Sequence, residues 1–179
     1  MTAHLTLIVI PSADDRRALA FPGRDRRDLL IGGLPENVRM RLGAADRLLC
    51  APEIALDFGG AAIPLEAVDA LADVDFGAWA GRPMAEIAER DPEAFTLWRT
   101  DMAAAPHGGE ALLDVHARVG RWLVPLEKGS VAMVSATIAR MILAAALNLP
   151  LPAIWQFDPQ PWAAIELMRY KGRWNLRLG

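Results

Sequence analysis

The stretch that decides the fold runs Leu71-Ala-Asp-Val-Asp-Phe-Gly-Ala-Trp-Ala-Gly81, continues through Met84-Ala-Glu-Ile-Ala-Glu-Arg-Asp-Pro-Glu-Ala-Phe95 and Trp98, and ends on Pro106-His-Gly-Gly-Glu110. Its local signals are those of loops and short helices. Pro83 to Glu89 predicts one short helix. Asp91-Pro92-Glu93 opens the next: the aspartate suits a helix cap, and the proline ring presets φ for the first helical position. Phe95 and Trp98 fall on one face of that helix. Glu110 to Leu126 then carries Leu113, Val115, Val119, Trp122, Leu123 and Leu126 near helical spacing. Its acidic first turn suits the positive end of the helix dipole.

Working outward, Gly129 interrupts the chain before Val131-Ala-Met-Val-Ser135, an apolar run that predicts a buried strand, and Thr137 to Leu147 predicts an apolar helix capped by Thr137. Beyond it the period changes. Ile165, Leu167, Trp174, Leu176 and Leu178 alternate with Glu166, Arg169, Asn175 and Arg177 around Lys171-Gly172, which is a β-hairpin pattern. Toward the other end, Asp46-Arg-Leu-Leu-Cys-Ala51 predicts a strand stopped by Pro52, and Ala67 to Val74 a third extended piece of ambiguous period. Leu5-Thr-Leu-Ile-Val-Ile10 predicts a first buried strand ended by Pro11. Ser12 to Pro35, rich in Arg, Asp, Gly and Pro, reads as a loop with room for one short helix. Strands alternating with helices and closed by a hairpin predict one domain over residues 1–179, a three-layer α/β/α sandwich with a mostly parallel sheet. Ligands of such sheets bind beyond the carboxyl ends of the strands, which points to the loops after Ile10 and Ser135.

Composition narrows the partners. The 179 residues are 53% hydrophobic, enough for one core, and the 19 basic and 22 acidic side chains are interspersed with a net charge of −3. That distribution argues against a nucleic-acid or membrane surface. The single cysteine, Cys50, has no internal disulfide partner, and no basic segment precedes the first apolar run, so a cytoplasmic protein is expected. Even Met141 to Leu151 is interrupted by Asn148 and Pro150, and no apolar run approaches the roughly 18 to 20 residues of a membrane span. No His or Cys pair stands at metal-ligand spacing, and Asp14-Asp15 reads as a turn or helix cap, so neither metal nor cofactor is expected.

The three motifs of the central stretch, in their order and spacing, resemble the histidine-phosphatase (phosphoglycerate-mutase-like) superfamily. Its members commonly read L-x-E-x-x-F-G-x-W-E-G, then D-P-x-x-F-x-x-W, then P-G-G-E-S. The likeness reaches the ends of the chain: a first strand, Cys50-Ala-Pro52 after the second, the turn at Ser135, the helix around Arg140 followed by Leu149-Pro150, and the hairpin. Within the superfamily the resemblance is to small phosphatases similar to α-ribazole phosphatase. It implies a phosphoglycerate mutase-like fold and catalysis through a phosphate-accepting histidine in an R-H-G motif after the first strand. Here those positions are Ile10, Pro11 and Ser12. A second family histidine, in an S-H-G motif, falls on the Ser135-Ala136 turn, and a family arginine falls near Ala55. Neither is present. The family's acidic glutamate aligns with Asp73, a carboxyl on a shorter arm.

The resemblance therefore implies a former active-site pocket of Pro11, Ser12, Ala55, Asp73, His107, Ser135 and Ala136, with Asp73 as the retained catalytic candidate. His107 is either a substitute base at the pocket mouth or an exposed loop histidine. Arg16 and Arg17 read as solvated surface or as an anion lure, Arg140 as a structural family position, and His4 and His116 as structural. Trp79 is expected to pack beside the loop of Asp73. Trp155, Phe157 and Trp162 form core or a homodimer interface. The expected function is that of a non-catalytic binding or regulatory protein. The alternative is a phosphomonoesterase-like hydrolase with altered chemistry using Asp73.

Overall fold

A computed structural model of the chain describes residues 2–11, 20–23, 34–54, 65–127 and 129–177. Leu5 to Ile10, apolar apart from Thr6, is buried on both sides of the alternation, as a strand covered on both faces must be. It forms most of β1 (Ala3–Val9), followed by α1 (Glu36–Gly43), β2 (Leu48–Cys50) and β3 (Leu65–Ala67). Next come α2 (Met84–Arg90), α3 (Pro92–Thr100), α4 (Leu112–Leu123), β4 (Ser130–Val134), α5 (Ala136–Leu147), β5 (Ala164–Tyr170) and β6 (Arg173–Arg177).

The six strands form one sheet in the order β3-β2-β4-β1-β5-β6. β3, β2, β4 and β1 are parallel, and the hairpin β5–β6 runs antiparallel against β1. Helices cover both faces. On one, Arg41 at the end of α1 donates to Glu166 of β5 at 3.0 Å. Arg169, three residues further and so on the opposite face, donates to the carbonyls of Leu123 and Val124 at the end of α4. This is the expected three-layer α/β/α arrangement.

Several boundaries differ from the sequence pattern, each for a local reason. The extended piece expected over Ala67 to Val74 is the short strand β3 followed by a 3₁₀ turn, Asp69–Leu71, which buries Leu71. The cap of α5 is Ser135 rather than Thr137: β4 ends at Val134, and the Ser135 hydroxyl accepts from the Ile138 amide at 3.2 Å. The helix expected from Glu110 to Leu126 spans Leu112–Leu123, stopping just before Pro125. The hairpin turn is Lys171-Gly172, with φ of 48° and 81°, the left-handed pair that matches the twist of the flanking strands. α1 has no counterpart in the sequence pattern.

Candidate functional site

Parallel pairing brings the expected loops to one end of the sheet. Val9 is in register with Val134, and the Ile10 amide donates to the Val134 carbonyl at 2.9 Å, so β1 hands over to Pro11 beside the point where β4 hands over to Ser135. Cys50 lies in register with Met133, which sets Ala51, Pro52 and Glu53 beyond the same end. Pro11 has no backbone donor. The Ile10 side chain is buried, 3% exposed, where the family places an arginine. Ala136 is the first residue of α5. Ser12 and Ala55 lie outside the described residues, as do Arg16 and Arg17.

Asp73 joins this end from the loop after β3. Its Oδ1 accepts from the Ser135 hydroxyl at 3.0 Å and from the Val74 amide at 2.9 Å, while its own amide donates to Glu53 Oε1 at 2.7 Å. The structure thus unites Asp73 with Ser135 and adds Glu53, which nothing in the pattern singled out because a glutamate after a proline-ended strand usually faces water. Cys50 also lies nearby. Burial, and behind it the charge of Glu53, pushes its thiol up to about 11, so it stays a neutral thiol and no nucleophile.

The Asp73 loop is held from behind. Arg118 of α4 donates Nε to Glu110 Oε1 at 2.8 Å and Nη2 to Glu110 Oε2 at 3.1 Å. The same guanidinium donates to the carbonyls of Ala70 and Ala72, each at 2.7 Å, and of Asp73 at 3.4 Å. A planar five-donor group on a fixed fork can satisfy a carboxylate and several carbonyls at once. Arg118 also escaped the sequence reading, since its partners are eight and about forty-five residues away.

The Phe-Gly-x-Trp and Pro-His-Gly-Gly-Glu motifs are two loops docked backbone to backbone. The Ala78 amide donates to the His107 carbonyl at 2.9 Å and the Glu110 amide to the Asp75 carbonyl at 2.8 Å. A Cβ at Gly77 would stand 2.2 Å from the His107 oxygen, and one at Gly109 would stand 2.0 Å from the Asp75 oxygen. Gly77 also has φ of 48°, so only glycine meets both demands.

His107 corrects the exposed-loop reading. It is 3% exposed, with its ring 5.6 Å from that of Phe76 and 5.2 Å from that of Trp79. Nδ1 accepts from the Gly109 amide at 3.1 Å, which leaves the proton of the neutral ring on Nε2, itself buried with no hydrogen-bond partner among the described residues. Burial lowers the ring's affinity for a second proton, against a smaller opposing pull from Asp75. No hydrogen bond links His107 to Asp73 or Ser135. Trp79 packs in a cluster centred on Phe21, whose ring lies 4.9 Å from Phe76, 5.1 Å from Trp79 and 5.2 Å from Trp98.

Arg140 is anchored within the fold: Nε donates to the Phe157 carbonyl at 2.8 Å. Phe157 and Trp162 pack partly buried against the core, and Trp155, 37% exposed, meets Trp98 at 5.3 Å. Among the described residues no three His, Cys, Asp or Glu side chains stand within reach of one metal ion, and no helix is long and apolar enough to cross a membrane. The assembled site sets carboxylate oxygens of Asp73 and Glu53 beside the Ser135 hydroxyl and can hydrogen-bond a small polar group. Among its described residues it has no imidazole at the strand ends.

Comparison with known proteins agrees with this architecture. A bifunctional protein of Mycobacterium tuberculosis is 44% identical over 85 residues, 45% of this chain and 23% of that one. The adenosylcobalamin/α-ribazole phosphatase of Escherichia coli is 26% identical over 113 residues, 59% of this chain and 56% of that one. The chain thus spans about a quarter to about half the length of these relatives. Among solved structures, mycobacterial hydrolase 2 superposes with a TM-score of 0.79 at 20% identity, covering 99% of this chain and 90% of that one, a likeness of fold. Residues 50–178 match the histidine phosphatase superfamily (branch 1), and with most of its length inside that match, the chain belongs to this superfamily.

Proposed function

We propose that this chain is a catalytically degenerate member of its superfamily, a cytoplasmic protein that binds a ligand or partner without turning it over. The observation that carries this reading is the residue after β1. Phosphoryl transfer through histidine needs a neutral imidazole aimed at phosphorus and cations around the transferring oxygens. Pro11 supplies no imidazole, and Ile10 places a buried alkyl group where the resemblance expects a guanidinium. The turn after β4 supports the same reading, because the Ser135 hydroxyl is engaged by Asp73 and by the start of α5.

A second reading is favoured by one specific contact. The 3.0 Å hydrogen bond between Asp73 and Ser135 keeps a carboxyl group at the strand ends, where it is placed to exchange a proton with a substrate in a phosphomonoesterase-like hydrolysis without a phosphoenzyme, as on the ester that names the E. coli α-ribazole phosphatase. Purified protein and its Asp73→Asn variant, assayed with p-nitrophenyl phosphate and probed for acid-labile phosphate, separate the readings. The binding role expects neither turnover nor labelling. Turnover that disappears in Asp73→Asn without labelling establishes the hydrolase, and acid-labile phosphate on the protein overturns both.

A further inference from the structure

Away from this pocket, β6 closes the sheet, and among the described residues only its β5 side is paired. The two-residue turn sets Tyr170 opposite Arg173, and in a hairpin of this kind the pair next to the turn is hydrogen-bonded. Alternation then aims the backbone groups of Arg173, Asn175 and Arg177 at β5 and those of Trp174 and Leu176 outward. Among the described residues no backbone hydrogen bond engages the outward groups.

The side chains beside that edge have one sign. From Arg169 to Arg177 the sequence holds four basic residues and no acidic one, in a chain whose net charge is −3. Arg169 is engaged by the end of α4 and the Trp174 ring, and Lys171 lies over Tyr170. Arg173 and Arg177 remain, exposed on one face of β6. Arg177 stands opposite Glu166 and attracts its carboxylate, which is also hydrogen-bonded to Arg41. Arg173 has no ion pair among the described residues.

This charge pattern discriminates between occupants. A second copy pairing antiparallel through Trp174 and Leu176 would set Arg173 of each chain directly opposite Arg177 of the other, and like charges at that spacing destabilise a ladder. An extended strand with acidic side chains at alternate positions would meet both arginines while its backbone pairs with the free groups of Trp174 and Leu176. We propose that the β6 edge accepts an acidic extended segment of a partner protein by strand addition. Charged side chains on an edge also guard against aggregation, and the experiment separates the two roles.

The full chain is titrated into a fluorescein-labelled octapeptide alternating Glu with Val, with a Lys-Val octapeptide as control, and binding is read by fluorescence anisotropy. The Glu-Val peptide is expected to bind at least about tenfold more tightly, a preference of about 1.4 kcal/mol, and Arg173→Glu with Arg177→Glu should reverse it. Amide exchange followed by NMR should slow at Trp174 and Leu176 and not at Asn175. Leu176→Pro removes one outward N–H without touching the β5 ladder and should weaken binding about tenfold. Should that variant unfold, a Glu-Val peptide N-methylated at alternate amides tests the same hydrogen bonds on the unaltered protein. Equal affinity for the two peptides, unchanged exchange at Trp174 and Leu176, undiminished binding by the methylated peptide, or a peptide-free dimer in light scattering that protects these amides overturns the proposal.

Discussion

Ser135 donates its hydroxyl hydrogen to Asp73 Oδ1 across 3.0 Å, so the turn that caps α5 and the loop that carries the family's acid position form one hydrogen-bonded unit. The same hydroxyl accepts from the Ile138 amide. Ser135→Ala removes a helix cap and a side-chain hydrogen bond together and should destabilise the fold by about 1–2 kcal/mol. In a double-mutant cycle with Asp73→Ala, urea unfolding should give a coupling of about 1 kcal/mol. Additive effects of the two substitutions would contradict the bond.

Arg118 does more than pair with Glu110, since it also donates to the carbonyls of Ala70 and Ala72. Arg118→Met leaves a part-buried carboxylate unpaired and should cost about 1–3 kcal/mol. Glu110→Gln combined with Arg118→Met removes the stranded charge as well, so the double variant should be more stable than Arg118→Met alone. Faster amide exchange confined first to the stretch around Asp73 would locate the effect. A double variant no more stable than the single one would contradict the ion pair.

These two contacts also mark where sequence reasoning stops. A continuous apolar run makes β1 and β4 legible, a stripe of Val115, Val119 and Leu123 makes α4 legible, and alternation around Lys171-Gly172 makes the hairpin legible, because each signal is local. α1 buries only Val38 and Leu42, too short a stripe to stand out. Phe21 sits in a stretch read as loop, yet backbone bonds to Gly81 and Arg82 pin it inside the aromatic cluster. Glu53 and Arg118 act through partners brought near only by the tertiary fold. The Asp73 position was legible because it lies inside a motif, and the burial of His107 was not, because Pro-His-Gly-Gly-Glu reads equally well as an exposed turn.

The paired glycines of the docked loops provide a sharper test. Gly77→Ala and Gly109→Ala each drive a methyl group into a carbonyl oxygen of the opposite loop, and the positive φ of Gly77 adds strain. Each should destabilise by about 3 kcal/mol or more. Gly120 lies inside α4 with nothing within 4 Å of an added Cβ, so Gly120→Ala should instead stabilise by about 1 kcal/mol. Urea midpoints of the three variants check all signs at once, and similar shifts for Gly109→Ala and Gly120→Ala would refute the docking.

Burial holds His107 and His116 below the ordinary imidazole value of 6.5. The unfolded chain therefore takes up protons at a pH where the native rings do not, and stability must fall as the pH drops through 6.5 toward the lower native values. Glu66, Glu86 and Glu166 are held low by hydrogen bonds from Arg47, Arg82 with Arg90, and Arg41, so their contributions are lost only as the pH falls below the ordinary 4.5. The interval from about pH 7.5 to about pH 5.5 consequently separates these two histidines from the three glutamates. His107→Asn keeps an acceptor for the Gly109 amide and removes the titration, so the fall in urea midpoint across that interval should become shallower. Adding His116→Gln should flatten it further, whereas an unchanged slope in both variants would show that neither ring is held neutral by the fold.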